Sequence, residues 1–329
     1  MSDADLSRMS YLLPAVTLTW LVTTSAFAEP RVLTSIKPLQ LIAAAVQEGL
    51  GTPDVLLPSG ASPHHYSLRP SDLRRVNDAD LIYWIGPDLE SFLPAVLDGR
   101  KGKSVAVQDT QGLYLRHFGE GHRHDDEPLE DQSEGHDEKE HATQLQIGNH
   151  DQLHRLGTLD AHLWLRPENA RLIAERMATD LTLADPGNAT RYQANLDAFE
   201  QRLKNLDIKL KAQLTPLAGK PFFVFHQAFD YFEEAYGLQH AGVFAISAEV
   251  QPGARHVAEM RDRLKAAGPS CVFSEPPIRP RLAQTLSEGL PVHFAELDAL
   301  GFGLKPSFNS YEQLLTNLSD GLAGCLKRL

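Results

Sequence analysis

The chain has 329 residues, of which 42% are hydrophobic and 22% are charged, and its formal net charge at pH 7 is −12. Its mean hydropathy of −0.27 argues against a polytopic membrane protein, and its length is sufficient for two lobes that each bury a core. The sequence has no basic patch and no basic stripe interleaved with aromatic residues, so we expect no nucleic-acid partner.

The N-terminus has the pattern of an export signal. A basic residue precedes an apolar stretch, and the tripeptide Ala-Phe-Ala at residues 26–28 fits the rule for signal cleavage. We therefore predict a signal peptide over residues 1–28, cleaved after Ala28, and a mature protein in the periplasm. The apolar stretch is too short and too rich in threonine for a stable membrane span. The residue directly after the cleavage site is not a cysteine, so we do not expect a lipoprotein, and either Met1 or Met9 is the start.

Short β-rich runs alternate with helical patterns in the first part of the mature chain. The predicted strands cover residues 31–36, 54–57, 81–85 and 104–108. The predicted helices between them include residues 39–48 and 71–76. This alternation indicates an α/β lobe, with a mostly parallel sheet and helices on its faces, which we assign to residues 29–166.

A histidine-rich acidic tract interrupts this lobe. Between His117 and His154 it holds seven of the fourteen histidines, with eleven Asp or Glu against two Lys or Arg. Because its first half has few large apolar residues, we predict a flexible loop at about 116–157. Imidazoles and carboxylates on a flexible segment indicate weak binding of several divalent ions, with a preference for zinc, copper or nickel. The predicted contributors are His122, His124, His136 and His141. The alternative is a solvated acidic linker.

Helical patterns dominate residues 167–216. The first helix is predicted from about residue 167 to 183. The second has apolar residues at Tyr192, Leu196, Phe199, Leu203, Leu206 and Leu210. Steps of three and four residues produce one apolar stripe, and a helix of some 25 residues would span roughly 38 Å.

Strand and helix patterns return in residues 217–329. The predicted strands cover residues 222–225, 241–246, 271–273 and 292–294. The predicted helices include residues 257–267 and 281–288. The sequence therefore predicts a second α/β lobe, connected to the first by a long helix.

Three histidines outside the acidic tract lie next to predicted elements. His64 follows a strand after a short turn, His226 ends a strand, and His162 precedes a helix. In open α/β sheets, ligands bind beyond the carboxyl ends of strands, so histidines from two lobes could face one cleft. Each one taken alone is more simply explained as a buried, hydrogen-bonded histidine. In a chain that also carries a metal-gathering tract, the three together favour metal ligation.

The two cysteines, Cys271 and Cys325, are far apart in the sequence. In an exported protein an isolated pair forms a disulfide by default. Closing a loop of about 55 residues could stabilise the fold by roughly 4 kcal/mol in the chain-entropy model. A thiolate metal site is the competing interpretation, although the pair lacks the short spacing of such sites.

Several longer motifs resemble the zinc-binding proteins of bacterial zinc-uptake ABC transporters, the ZnuA type. They are Gly-Ala-Ser-x-His-x-Tyr-Ser-Leu-Arg-Pro-Ser-Asp at 60–72, His-Leu-Trp-Leu-x-Pro-Glu at 162–168, Phe-Val-Phe-His-Gln-Ala-Phe at 223–229, Cys-Val-Phe-Ser-Glu-Pro at 271–276 and Leu-Asp-x-Leu-Gly at 297–301. The resemblance covers essentially the whole mature chain. It implies two α/β lobes joined by a rigid long helix, with the metal bound between the lobes.

The resemblance also implies the ligands. His64, His162 and His226 become the nitrogen ligands of Zn²⁺, and Asp298 becomes either a fourth ligand or a carboxylate close to the site. Some relatives have Glu where this chain has Pro63, so that carboxylate is absent here. Three neutral imidazoles suit tetrahedral zinc, manganese prefers more oxygen ligands, and copper and nickel stay chemically possible.

The family further implies a bridge between Cys271 and Cys325, a monomer, and transient binding to an inner-membrane ABC permease. It thus predicts a transport protein and not an enzyme. The rival functions are a secreted zinc hydrolase and a soluble metal buffer without a transporter. The chain has no His-Glu-x-x-His motif and no Gly-x-Ser-x-Gly elbow, which argues against the hydrolase.

Overall fold

The computed structural model describes residues 29–119, 157–245, 253–277 and 281–329. The predicted signal peptide and the tract histidines His122, His124, His136 and His141 lie outside the described residues. In the described ranges, no helix has both the length and the apolar composition that crossing a bilayer requires.

The first lobe contains a four-stranded parallel sheet in the order β2-β1-β3-β4. Its strands are β1 (Val32–Thr34), β2 (Asp54–Val55), β3 (Leu81–Trp84) and β4 (Lys103–Ala106). Its helices are α1 (Lys37–Val46), α2 (Pro70–Asp78) and α3 (Pro94–Leu97). All residues of β1 and β3 are buried, as expected for parallel strands that are covered on both faces.

Two helices follow the first lobe, α4 (Pro167–Ala184) and α5 (Ala189–Leu214). The 26 residues of α5 give it a length of about 39 Å, and five of the six predicted stripe residues are buried, while Leu206 is partly buried. The predicted stripe therefore does face the core.

The second lobe repeats the architecture, with a parallel sheet in the order β6-β5-β7-β8. Its strands are β5 (Phe222–His226), β6 (Gly242–Ala245), β7 (Ser270–Ser274) and β8 (Val292–Glu296). Its helices are α6 (Asp230–Tyr236), α7 (Ala254–Ala267), α8 (Arg281–Leu286) and α9 (Ser310–Leu326). The prediction of two parallel α/β lobes joined by a long helix is confirmed, whereas the exact division at residues 29–166, 167–216 and 217–329 stays a prediction.

One hydrophobic core runs through both lobes. It extends from Val32 and Leu81 in the first sheet, through Tyr192 and Phe199 of α5, to Phe222 in the second sheet. Helix α1 packs against α4, α5 and α9, so helices from both halves share this core. Because interiors are close-packed, a continuous core resists large hinge motion between the lobes.

The disulfide predicted for the two cysteines is present. Cys271 of β7 and Cys325 of α9 are bonded, with their Cα atoms 6.2 Å apart. Both side chains are buried, so the bridge fastens the C-terminal helix to the second sheet from inside the core. This pairing excludes the thiolate metal site that the sequence had left open.

Candidate metal centre

Three histidine rings converge between the lobes. The ring centroids of His162 and His226 are 5.1 Å apart, and the centroid of His64 lies 5.6 Å from each of them. One nitrogen from each ring can be chosen so that all three lie within 4.8 Å of one another. The side chains are only 6%, 3% and 5% exposed for His64, His162 and His226, so these polar groups are held away from bulk water.

Each ring reaches the cluster from a different part of the fold. His226 is the last residue of β5, and His64 lies in the loop between β2 and α2. His162 directly precedes the 3-10 turn Leu163–Leu165 that leads into α4. The neighbouring His65 is exposed.

Carboxylates orient two of the rings. Nδ1 of His162 lies 2.8 Å from Oδ1 of Asp160, and Nδ1 of His226 lies 3.1 Å from Oε1 of Glu275. When Nδ1–H donates to the carboxylate, the lone pair is on Nε2, which is the tautomer a metal requires. These two carboxylates therefore prepare Nε2 of each ring for ligation.

Sheet register explains the position of Glu275. In the parallel pair β5 and β7, Phe222 is opposite Cys271 and Val224 is opposite Phe273. The same offset sets Glu275 beside His226 at the carboxyl ends of the two strands. Neither this carboxylate nor Asp160 was identified from the sequence, although Glu275 lies in the motif at 271–276 and Asp160 lies two residues before His162.

Asp160 lies in a buried polar region that connects the lobes. The hydroxyl of Tyr231, on α6, donates to the backbone carbonyl of Asp160 at 2.9 Å. The same hydroxyl accepts the backbone N–H of Arg116 at 2.9 Å, and the Arg116 guanidinium pairs with Asp230 and Glu234. Burial, together with the charge of Asp230, raises the pKa of Asp160 well above its ordinary value.

The carboxylate of the predicted ligand Asp298 accepts hydrogen bonds from the backbone of its own turn. Its Oδ1 accepts the backbone N–H groups of Leu300 and Gly301 at 3.1 and 2.8 Å, and its Oδ2 accepts that of Phe302 at 2.5 Å. Burial raises the pKa of Asp298 above its ordinary value, and the hydrogen bonds from these three N–H groups offset only part of this rise. In the described part of the chain, the cluster of candidate ligand atoms consists of the three histidines and does not include Asp298. Ligation by Asp298 stays a prediction.

The cavity over the three rings is lined by three loops. Residues 57–64 come from the first lobe, and residues 275–277 and 299–302 come from the second. Most of the side chains in these loops are apolar, among them Leu57, Pro63, Pro277 and Phe302. Three neutral imidazoles in a largely apolar cavity are a donor set suited to a small dication of borderline softness such as Zn²⁺, which proteins bind at about 2.0–2.1 Å from nitrogen.

Comparison with known proteins decides the family. The family model described as "Zinc-uptake complex component A periplasmic" matches residues 32–325. The chain belongs to this family. It is 37% identical over 311 residues to the "High-affinity zinc uptake system protein ZnuA" of Brucella suis biovar 1 (strain 1330), with 90% of this chain and 92% of the relative covered. The protein of the same description from Yersinia pestis is 36% identical over 306 residues, with 91% and 92% covered.

The solved structures agree on the fold of the family. The structure described as "Crystal structure of ZnuA" superposes with a TM-score of 0.70 at 24% identity, covering 91% of this chain and 99% of that one. At this identity the match supports the architecture alone. The family resemblance found in the motifs is thus confirmed over residues 32–325.

Proposed function

We propose that the chain is a periplasmic protein that captures Zn²⁺ at His64, His162 and His226 and delivers it to an inner-membrane ABC permease. The observation that carries the proposal is the convergence of three buried rings from distant parts of the sequence. The family, and relatives whose names state high-affinity zinc uptake, support the same conclusion.

Capture follows from the chemistry of the cluster. Each imidazole must be neutral to bind a metal, and Asp160 and Glu275 hold Nδ1–H of His162 and His226 so that Nε2 carries the lone pair. The apolar walls of the cavity strengthen the attraction between the dication and its ligands by excluding water. The donor set offers nitrogen where manganese would prefer oxygen, which favours zinc.

Release is the step that requires the permease. A tightly bound ion leaves slowly by itself, because differences in affinity are expressed mainly in the dissociation rate. Since one core connects the lobes, wide opening would break close packing. We infer that the permease shifts one lobe by a small amount and thereby separates the histidine of β5 from the other two.

The test is titration of the untagged mature protein with zinc. His64→Ala, His162→Ala and His226→Ala should each lower the affinity of the tightest site by more than about 100-fold, whereas His65→Ala, the exposed neighbour, should leave it unchanged. Metal analysis of protein purified without chelator, and competition between zinc and manganese, report the selectivity. Wild-type affinity in all three variants would contradict the site.

Two other functions are distinguished by separate experiments. A secreted zinc hydrolase would use the same histidines and an activated water, so turnover of ester, amide or phosphate substrates would favour it. A metal buffer would bind zinc but give no uptake. Zinc transport by vesicles that contain the permease and its ATPase, dependent on the added protein, would exclude the buffer.

The proposal also covers the export of the protein, its oligomeric state and its histidine-rich tract. Export with cleavage after Ala28 predicts Glu29 as the first residue of the purified protein, without a lipid, and mass spectrometry reads this directly. Sedimentation should give a monomer, and contact with the permease should be transient. Zinc binding by His122, His124, His136 and His141 is proposed as a weaker, additional capacity.

A further inference from the structure

The turn that follows β8 is built around Asp298. Its carboxylate accepts three successive backbone N–H groups, from Leu300, Gly301 and Phe302. Gly301 occupies the left-handed region, with φ of 68°, which a non-glycine residue rarely adopts. The turn is therefore fixed by one side chain, and it ends on an aromatic residue.

A second bond fixes the turn to the floor of the cavity. Nε1 of Trp164 donates to the carbonyl of Ala299 at 2.9 Å. The ring of Trp164 lies 5.3 Å from the ring of His162, centroid to centroid. The position of the turn is thus linked to the position of a candidate metal ligand.

Phe302 lies where the two lobes meet beside the cavity. It comes from the second lobe, and its ring meets the loop of the first lobe at Gly60, where an added Cβ would lie 3.1 Å from Cε2 of the ring. The same added atom would lie 3.5 Å from Cγ of Pro277. Phe302 lines the cavity together with the three histidines and is 42% exposed, so one side of it faces the cavity and another faces solvent.

We propose that Phe302 closes the mouth of the histidine cavity and slows the escape of the bound ion, and that Asp298 is the positioning residue that holds Phe302 there. This inference rests on the proposed function, since it assigns Phe302 a role in retaining zinc. It gives Asp298 a role that needs no direct bond to the metal. The contact between Phe302 and Gly60 also joins the two lobes at the cavity.

An ion that leaves the cluster must exchange imidazole nitrogens for water. An aromatic ring across the mouth restricts the entry of that water and keeps the local dielectric low, so it raises the barrier to ligand exchange. Removing the ring opens the mouth without changing any of the three ligands. Because the ring then changes the barrier and not the ligands, the rates of dissociation and association should both rise, with a smaller change in the equilibrium affinity.

The experiment uses the untagged mature chain loaded with one equivalent of zinc and mixed rapidly with excess 4-(2-pyridylazo)resorcinol. Phe302→Ala should release zinc roughly five- to tenfold faster than the wild type, and Phe302→Leu, which keeps apolar bulk, should be intermediate. Phe308→Ala is the matched control. Phe308 is 45% exposed in the same connection and stacks on Arg202 outside the cavity, so its removal should leave the rate unchanged.

The role of Asp298 is tested by a double-mutant cycle. If Asp298 acts through Phe302, Asp298→Ala should accelerate release to a similar extent, and the double variant should be no faster than Phe302→Ala alone. The visible absorption of the Co²⁺-loaded protein is the second measurement, since it reports the ligands themselves. It should be the same in wild type and Asp298→Ala.

The outcomes separate the two proposals. A wild type that takes up no zinc at the cluster would overturn the proposed function and this inference with it. A wild type that binds zinc, with Phe302→Ala releasing it at the wild-type rate, would overturn only the role of Phe302. Additive effects in the cycle, with a changed Co²⁺ spectrum in Asp298→Ala, would show that Asp298 is a ligand and not a positioning residue.

Discussion

Glu275 lies opposite His226 at the carboxyl ends of two neighbouring parallel strands, with Oε1 3.1 Å from Nδ1 of the ring. This single contact sets both the orientation of the ring and the nitrogen that faces the cavity. It depends on the register of β5 and β7, whose residues are 49 positions apart in the sequence at this point.

The first prediction concerns this carboxylate. Glu275→Gln should lower zinc affinity by about 10- to 100-fold, because the amide can donate to Nδ1 and so favour the wrong tautomer. Competition titration against a chelator of known affinity measures the change. Glu296→Gln, at the exposed end of the adjacent β8, is the control and should bind as the wild type does. Equal affinity in Glu275→Gln and Glu296→Gln would refute the orienting role.

The second prediction concerns pH and stability. Burial raises the pKa of Glu90 from its ordinary 4.5 to about 7, against the lowering effect of hydrogen bonds from Ser35 and from the backbone N–H groups of Gly86 and Ile85. Below about pH 4.5 the carboxyl is protonated in both the folded and the unfolded chain. As pH rises toward about 7, the unfolded chain releases the proton first, so the free energy of unfolding falls.

Glu90→Gln removes this titration. The free energy of unfolding of the wild type minus that of the variant should fall by about 3 kcal/mol between about pH 4.5 and 7.5. Urea unfolding at several pH values gives this difference. Glu48→Gln, an exposed residue at the end of α1, provides the control. A difference that is flat, or that rises with pH, would show that burial does not raise the pKa of Glu90.

The third prediction concerns the disulfide. Reduction of the bridge between Cys271 and Cys325, which closes a sequence separation of 54 residues, should lower the free energy of unfolding by about 2–5 kcal/mol. The zinc affinity should stay within about twofold, because the hydrophobic core also holds β7 and α9, the two elements that the bridge joins. Thermal unfolding with and without reductant, followed by zinc titration of the reduced protein, tests both statements. Loss of tight zinc binding on reduction would mean that the bridge also supports the site.

The fourth prediction concerns the histidine-rich tract. Phe118 and Thr158 are hydrogen-bonded, N to O at 2.9 Å, and Gly157 donates back to Phe118 at 2.9 Å. Because the residues on the two sides of the tract are already hydrogen-bonded to each other, residues 120–156 can be replaced by two glycines with little strain. Zinc titration should then show lower total stoichiometry and an unchanged tightest site.

The matching control for the tract keeps its length. Replacing His122, His124, His136 and His141 with asparagine should lower stoichiometry in the same way, since only the imidazoles are removed. If the deletion abolished tight binding while the asparagine variant kept it, the loop would matter for the structure of the site. If both abolished it, the three-histidine assignment would be wrong.

Much of the fold was predictable because its elements carry local patterns. Burial of one face of α5 explains its apolar stripe. Burial of both faces explains the apolar runs of the central strands β1, β3, β5 and β7. Helix α9 was missed, since it is buried on most of its surface and so has no clean polar face. Helix α6, with only seven residues, was missed as well.

The histidine ligands of the site were predictable from the sequence, but the carboxylates that orient them were not. Three histidines next to strand or helix ends, with the family motifs, identified His64, His162 and His226. The contact of Glu275 with His226 gave no sequence signal, because it depends on which strands are neighbours. Asp298 was expected near the metal, and the structure shows its carboxylate holding the turn that ends on Phe302.

The alternation of strands and helices, the long helix, the cysteine pair and the three imidazoles suited to zinc follow from the sequence. Three further features needed the folded chain: β5 lies between β6 and β7, the rings of His64, His162 and His226 meet, and Phe302 reaches Gly60. The reason is that periodicity records which side of an element is buried. The partner that buries it is selected by long-range packing and strand register, which no local pattern encodes.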